Sequence, residues 1–225
     1  MATLLNIETA TTNCSVSIAK EGKILVLKEH NSAQYSHAEQ LHVFIEEALV
    51  EASLSMADLD AIAVSKGPGS YTGLRIGVSA AKGLCFSLEV PLISVPTLES
   101  MANQVSLAKE EVVIPVLDAR RMEVYSAVYN SNFSEIRETL AEVITANSFA
   151  EFVEKGRVVL AGNGAEKCKE VLTHPNFVFH TNVVPSAKEM ALLSFKKFTE
   201  ANFEDVAYFE PYYLKDFVLM QKKKA

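Results

Sequence analysis

One order of elements occurs twice in this chain and constrains its fold more than any other feature. An apolar strand ending in an acid opens each copy: "LLNIE" up to Glu8 and "VVIPVLD" up to Asp118. In both, an alternating strand starts six residues later, at Cys14 and at Val124. Each hairpin is followed by a helix, and then by an apolar strand that runs into glycines and a further helix. That strand is "AIAVSKGPGS" in the first copy and "VVLAGNGAEK" in the second. The copies lie about 110 residues apart and share pattern rather than identity. The order predicts two α/β lobes, each a mixed sheet flanked by helices, spanning residues 1–96 and 97–225. The boundary falls near Pro96, and the C-terminal tail is a candidate to pack back on the first lobe.

The first lobe carries the clearer signals. Strands are expected over Leu4–Glu8, Cys14–Lys20 and Lys23–Glu29, forming an antiparallel meander. A helix is expected from Ser36 to Ala52, with Leu41, Phe44, Ile45, Ala48, Leu49 and Ala52 along one stripe. Ser36 and Glu39 have the spacing of a capping box. A second helix, rich in Gly and Ala, is expected from Ser70 to Ser87.

Composition narrows the function. A net charge of −7 argues against a chain that grips nucleic acid alone, because phosphate contacts need clustered Lys and Arg. The dense basic run Lys222-Lys223-Lys224 reads as a solvated tail. Cys14, Cys85 and Cys168 are odd in number and form no C-x-x-C pair, as expected of reduced core residues in a cytoplasmic protein. No apolar run reaches the roughly 18 residues of a membrane span.

The stretch "SKGPGSYTGLRIGVS" sits at a strand-to-helix junction, where glycines often cradle phosphate. Its spacings do not fit the named motifs. Neither glycine register supplies the G-K-[ST] of a phosphate-binding P-loop, and Gly67, Gly69 and Gly73 miss G-x-G-x-x-G by one residue. Pro68 stands where a nucleophile elbow needs glycine. Five of the nine glycines fall between Gly67 and Gly83, and Gly73 and Gly77 share a helical face. Glycine in a helix costs about 1 kcal/mol relative to alanine, so close approach of another helix is expected there.

Metal and acid–base chemistry find little support. His37 and His42 are five residues apart, about 140° around a helix, and cannot form an H-x-x-x-H pair. His42 and Glu46 lack a third ligand; His174 and His180 read as surface positions. Glu8 and Asp118 end equivalent strands and are candidates for acid–base or magnesium work.

These residues also carry a resemblance. The segments "LLNIETATTNCSVSIAK", "SHAEQL", "SKGPGSYTGLRIGVSAAKGL", "VLDARRMEVYSAVY" and, more weakly, "PYYLKD" resemble the TsaB family. This is the dimerisation subunit of the bacterial machinery that makes threonylcarbamoyladenosine in tRNA. The resemblance implies the actin-like, Hsp70-like two-lobe fold and a non-catalytic scaffold role, with no cofactor. It implies as partners a metal-bearing catalytic relative and an ATPase subunit, with tRNA reached only through the complex; separately, an apolar helical face denied its partner is a candidate to form a homodimer with a second copy of the chain.

It also implies an interface on the two long N-lobe helices. The candidate residues are His37, Leu41, Tyr71, Leu74, Arg75, Gly77, Val78 and Lys82. On that reading, a bulky residue at Gly77 breaks the heterodimer and leaves the chain folded. The alternative is a nucleotide-dependent small-molecule kinase or ATPase of the same fold, with Glu8, Asp118, Gly162 and Gly164 as weak nucleotide contacts. The family's first strand usually ends in Asp, and Glu8 departs from that. A metallopeptidase, the third reading, requires bound zinc or iron.

Overall fold

A computed structural model describes residues 1–32 and 37–215. The readings at Ser36 and Lys222–Lys224 lie outside the described residues. Among the described residues, the strands form two five-stranded sheets. The first contains β1 (Thr3–Glu8), β2 (Asn13–Lys20), β3 (Lys23–Asn31), β4 (Ala61–Gly67) and β5 (Leu92–Pro96), in the order β3-β2-β1-β4-β5. The second contains β6 (Val112–Asp118), β7 (Glu123–Asn130), β8 (Glu135–Val143), β9 (Val158–Ala161) and β10 (Phe177–His180), in the order β10-β9-β6-β7-β8.

Reading the second order backwards gives the first, strand for strand. In each sheet the hairpin partner is antiparallel and the next two strands are parallel. The duplicated order seen in the sequence is therefore a duplicated topology. The helices of the two copies differ. The first copy carries α1 (His37–Glu51) and α2 (Tyr71–Leu88); α3 (Thr97–Ala102) follows β5. The second has only the four-residue helices α4 (Ala150–Val153) and α5 (Ala165–Cys168) at the matching places.

β1 is buried along its whole length, so both faces of the first sheet need cover. On one face, Leu5, Ile7, Val16, Ile18 and Val64 pack against Leu41, Ile45 and Ala48 of α1 and Val78, Ala81 and Cys85 of α2. On the other, Leu4, Ala61, Ala63, Ile93 and Val95 meet Ala187 and Met190 of α6 (Ala187–Thr199). The last described helix thus covers the first sheet. Its seat is polar as well as apolar: Ser194 donates to Asn6 Oδ1 at 2.6 Å, and Ser17 donates to the Ala187 carbonyl at 2.8 Å. Asn13 donates to the Pro185 carbonyl at 3.0 Å. Buried polar groups must be paired, so these bonds allow α6 only one seating.

Candidate functional site

The glycine-rich junction is built around a turn of its own chain. β4 ends at Gly67, whose φ of +107° favours glycine, followed by a cis peptide to Pro68. Ser70 then caps α2, its side chain accepting from the Gly73 amide at 3.2 Å, while its own amide donates to the Ala10 carbonyl at 2.6 Å. A β-carbon at Gly69 would lie closer than 3.0 Å to the Ala10 carbonyl. At Gly73 it would meet the Thr9 carbonyl, and at Gly77 the Thr9 hydroxyl, equally closely. These glycines therefore give clearance to the turn after β1 rather than to a helix of another protein. A bulky residue at Gly77 would press on the Thr9 side chain inside the lobe, so the substitution does not probe a partner interface alone.

Glu8, at the tip of β1, is fully buried beneath this junction. Its Oε1 accepts from the Ala10 amide at 2.6 Å and from Ser65 Oγ at 2.8 Å, and its Oε2 has no partner. Burial outweighs these bonds and pushes its pKa from 4.5 up to about 7. Asp118, at the matching place in the second sheet, is exposed and engaged differently. It accepts from Lys167 Nζ at 2.6 Å and from the Arg120 amide at 2.7 Å. Lys167 also donates to the Arg121 and Glu123 carbonyls, so one ammonium fills the turn between β6 and β7.

The second glycine turn is equally committed. The Gly162 amide donates to the His180 carbonyl at 2.9 Å and the Gly164 amide to the Val116 carbonyl at 3.1 Å. A β-carbon at Gly162 would collide with the Val116 carbonyl. The four proposed nucleotide contacts therefore do not form a cradle. Glu8 is sealed in, Asp118 is neutralised by Lys167, and the two glycine amides are already spent.

The proposed interface residues divide into two groups. His37, Leu41, Leu74, Gly77 and Val78 are buried in the first lobe, so they cannot themselves line an open surface. His37 Nε2 donates to the Thr11 carbonyl at 2.6 Å, and burial holds its pKa below the usual value. Leu41, Leu74 and Val78 are core residues because their stripe faces the sheet. Tyr71, Arg75 and Lys82 lie nearer the surface, where the chain's own residues 204–215 run across them. Arg75 Nε donates to Tyr213 Oη at 3.2 Å, its guanidinium lies 4.2 Å from the Tyr71 ring centre, and Lys82 donates to the Ala207 and Phe209 carbonyls at 3.1 and 3.0 Å.

The surface left open lies on the other side of α2. His42 of α1 and Ile76, Ser79, Ala80, Gly83, Leu84 and Ser87 of α2 line a groove of about 430 Å³. Phe86 is 81% exposed on the same helix, and Val43 and Val50 are exposed on α1. Leu74 and Val78, expected at the interface, are buried, and the residues that line the open groove lie on a different face of the same helix. Among the described residues, no three His, Cys, Asp or Glu side chains gather as a metal-binding set. Nor is any described helix long and apolar enough to cross a membrane.

Two sheets of matched order, each with its acid-tipped hairpin, define a protein of the two-lobed actin-like class. Component A of the (R)-2-hydroxyglutaryl-CoA dehydratase of Acidaminococcus fermentans shares this fold, with a TM-score of 0.51 at 12% identity over 88% of this chain and 100% of that one. A Pseudomonas aeruginosa protein described as similar to the peptidase YEAZ superposes more closely, with a TM-score of 0.83 at 25% identity over 96% of this chain and 100% of that chain. Residues 29–223 match the family described as TsaD, tRNA N6-adenosine threonylcarbamoyltransferase. The tRNA threonylcarbamoyladenosine biosynthesis protein TsaB of Escherichia coli K12 is 30% identical, over 97% of both chains. TsaB of Bacillus subtilis is 31% identical over 70% of this chain and 69% of its own. The chain belongs to the TsaB family, within the wider group that the TsaD match describes.

Proposed function

We propose that this chain takes part in threonylcarbamoyladenosine formation on tRNA as a non-catalytic docking subunit. Its partner is the metal-bearing relative that carries out the transfer, with an ATPase subunit in the same assembly. The observation that carries this reading is the open apolar groove between α1 and α2, with Phe86 beside it. Exposed apolar surface of this kind is costly in water and is covered by a partner. Docking there stabilises the partner's active arrangement by mass action. In the absence of that partner, a second copy of the chain covers the same face. The kinase or ATPase reading has less to stand on, since both strand-end acids and both second-turn amides are engaged within the chain.

Gly83 provides the test. It lies in the groove, and a β-carbon there would have nothing within 4 Å. Gly83→Ala is expected to stabilise the isolated chain by about 0.5–1 kcal/mol, because it removes glycine from an exposed helix interior at no steric cost. Thermal denaturation measures this. Gly83→Arg is expected to leave the fold intact and abolish co-purification with the metal-bearing relative. Undiminished heterodimer formation by a folded Gly83→Arg chain would remove the groove from the interface. Turnover of magnesium–ATP by the isolated chain would contradict the non-catalytic role.

A further inference from the structure

Residues 204–215 form a strap rooted in the first lobe, and its far end reaches the second. The root is firm. The Glu204 amide donates to the Leu92 carbonyl at 2.8 Å, and Ser94 donates to Glu204 Oε1 at 2.5 Å. Val206 and Phe209 pack on the core of the first lobe. The Tyr212 amide donates to the Lys66 carbonyl at 2.7 Å, and the Tyr213 ring lies 5.1 Å from that of Tyr71 on α2. Two residues further on, the strap leaves this lobe. Lys215 forms an ion pair with Glu123, donates to the Ala119 carbonyl at 3.4 Å, and lies 5.6 Å from the centre of the Tyr125 ring. All three belong to the β6–β7 hairpin of the second sheet.

The seam that the strap bridges is not sealed by apolar packing. Among the described residues, no apolar core cluster holds side chains from both sheets. The first sheet packs with α1, α2 and α6, and the second with α3, α4 and α5. The chain itself passes between the lobes from β5 into α3 and from β10 into α6. Lobes that share no core move relative to one another by default. Two chain crossings leave an axis about which they can rock, with the hinges at the ends of elements. A third tether away from that axis removes the freedom. Lys215 meets this condition, since it holds the β6–β7 turn, whereas the crossing into α6 leaves from β10 at the sheet's edge, beyond β9.

We propose that the strap is a latch between the lobes, with a permanent root on the first and a releasable catch at Lys215 on the second. The unequal strength of its two ends carries this assignment. Backbone bonds and packed apolar side chains hold the root, while the catch is one ion pair whose partners are 33% and 28% exposed. A pair of that kind is weak and is screened by salt. Its release lets the lobes hinge while the strap stays on α2. The latch is independent of whether α1 and α2 dock a partner.

Spin labels on Lys23→Cys and Lys155→Cys, exposed positions in the two lobes, test it by pulsed electron paramagnetic resonance; the native cysteines are buried. The parent at low salt is expected to give one narrow distance. Lys215→Gln and Glu123→Gln are each expected to broaden it, and Lys215→Arg, which keeps the charge, to leave it narrow. Salt at about 1 M is expected to broaden the parent's distance and to leave that of Lys215→Gln unchanged. Hydrogen exchange at the Tyr212 amide, at the root, is expected to stay slow in every variant. Equal distance distributions in the parent, Lys215→Gln and Glu123→Gln overturn the latch. So does broadening accompanied by fast exchange at Tyr212, because the strap would then come away whole.

Discussion

Gly73→Ala is expected to destabilise the protein by about 3 kcal/mol, the upper end of the cost of overpacking a tight interior. The reason is local and rigid. The new methyl would be driven against the Thr9 carbonyl oxygen, closer than 3.0 Å, and a backbone group cannot rotate away as a side-chain tip can. His37 Cδ2 and Ser70 Cβ, each 3.3 Å from that position, close the other directions of escape. For a chain of this size the loss corresponds to a fall in Tm of roughly 6–12 °C. The comparison with Gly83→Ala makes the result specific, because the same substitution ten residues along the same helix is expected to raise stability. A Gly73→Ala chain that melts with the parent would mean that α2 does not ride on the turn after β1.

The second large effect concerns Glu8→Gln, which is expected to stabilise the protein at neutral and alkaline pH by about 3 kcal/mol. The folded-state pKa of Glu8 is about 7, against 4.5 for the unconstrained group, with burial as the main cause. A raised pKa means that the folded protein prefers the protonated acid. Its contribution is fully present below pH 4.5, falls as pH rises through 7, and is gone above. Glutamine cannot ionise, and its amide oxygen can still accept from the Ala10 amide and Ser65 as Oε1 does. Variant and parent should therefore have similar stability near pH 4 and separate progressively to about pH 8, in urea titrations across that range. Parallel pH profiles would show that Glu8 does not carry the ionisation cost assigned to it.

The two predictions concern one place, and they show how far the residues alone could lead. The spacing of Gly73 and Gly77 signalled a close approach, which is a property of the helix and legible in it. Which backbone makes that approach is a property of the packed lobe, since Thr9 is 64 residues away from Gly73 in the chain. The same limit applies to Leu74 and Val78. Their period marks one face of α2 without distinguishing a core face from a docking face.

In the first lobe, strands such as "LLNIE" and "CSVSIAK" stood out because they alternate or are apolar throughout. β8 did not, because "EIRETLAEV" is an edge strand with charge along its length, and β10 is only four residues long. The matched topology of the two halves was readable because strand-end acids and glycine turns sit at fixed places in each. The reduced helices of the second half were not, since glycines after a strand announce a helix without stating its length. The C-terminal tail was expected to pack back on the first lobe; that residues 204–215 cross α2 depends on contacts such as Arg75 with Tyr213, 138 residues apart.

The seat of α6 on the first sheet has a consequence for biosynthesis. During synthesis, Asn6 is made 188 residues before its partner Ser194. Until then Leu4, Ala63, Ile93 and Val95 form an uncovered apolar face, and Asn6 Oδ1 lacks the bond that fixes its register. The first sheet is thus made early and closed late, so the nascent chain spends most of its synthesis with sticky surface exposed. Truncation before α6 would leave that face open, so the first sheet is completed only once this helix has been made.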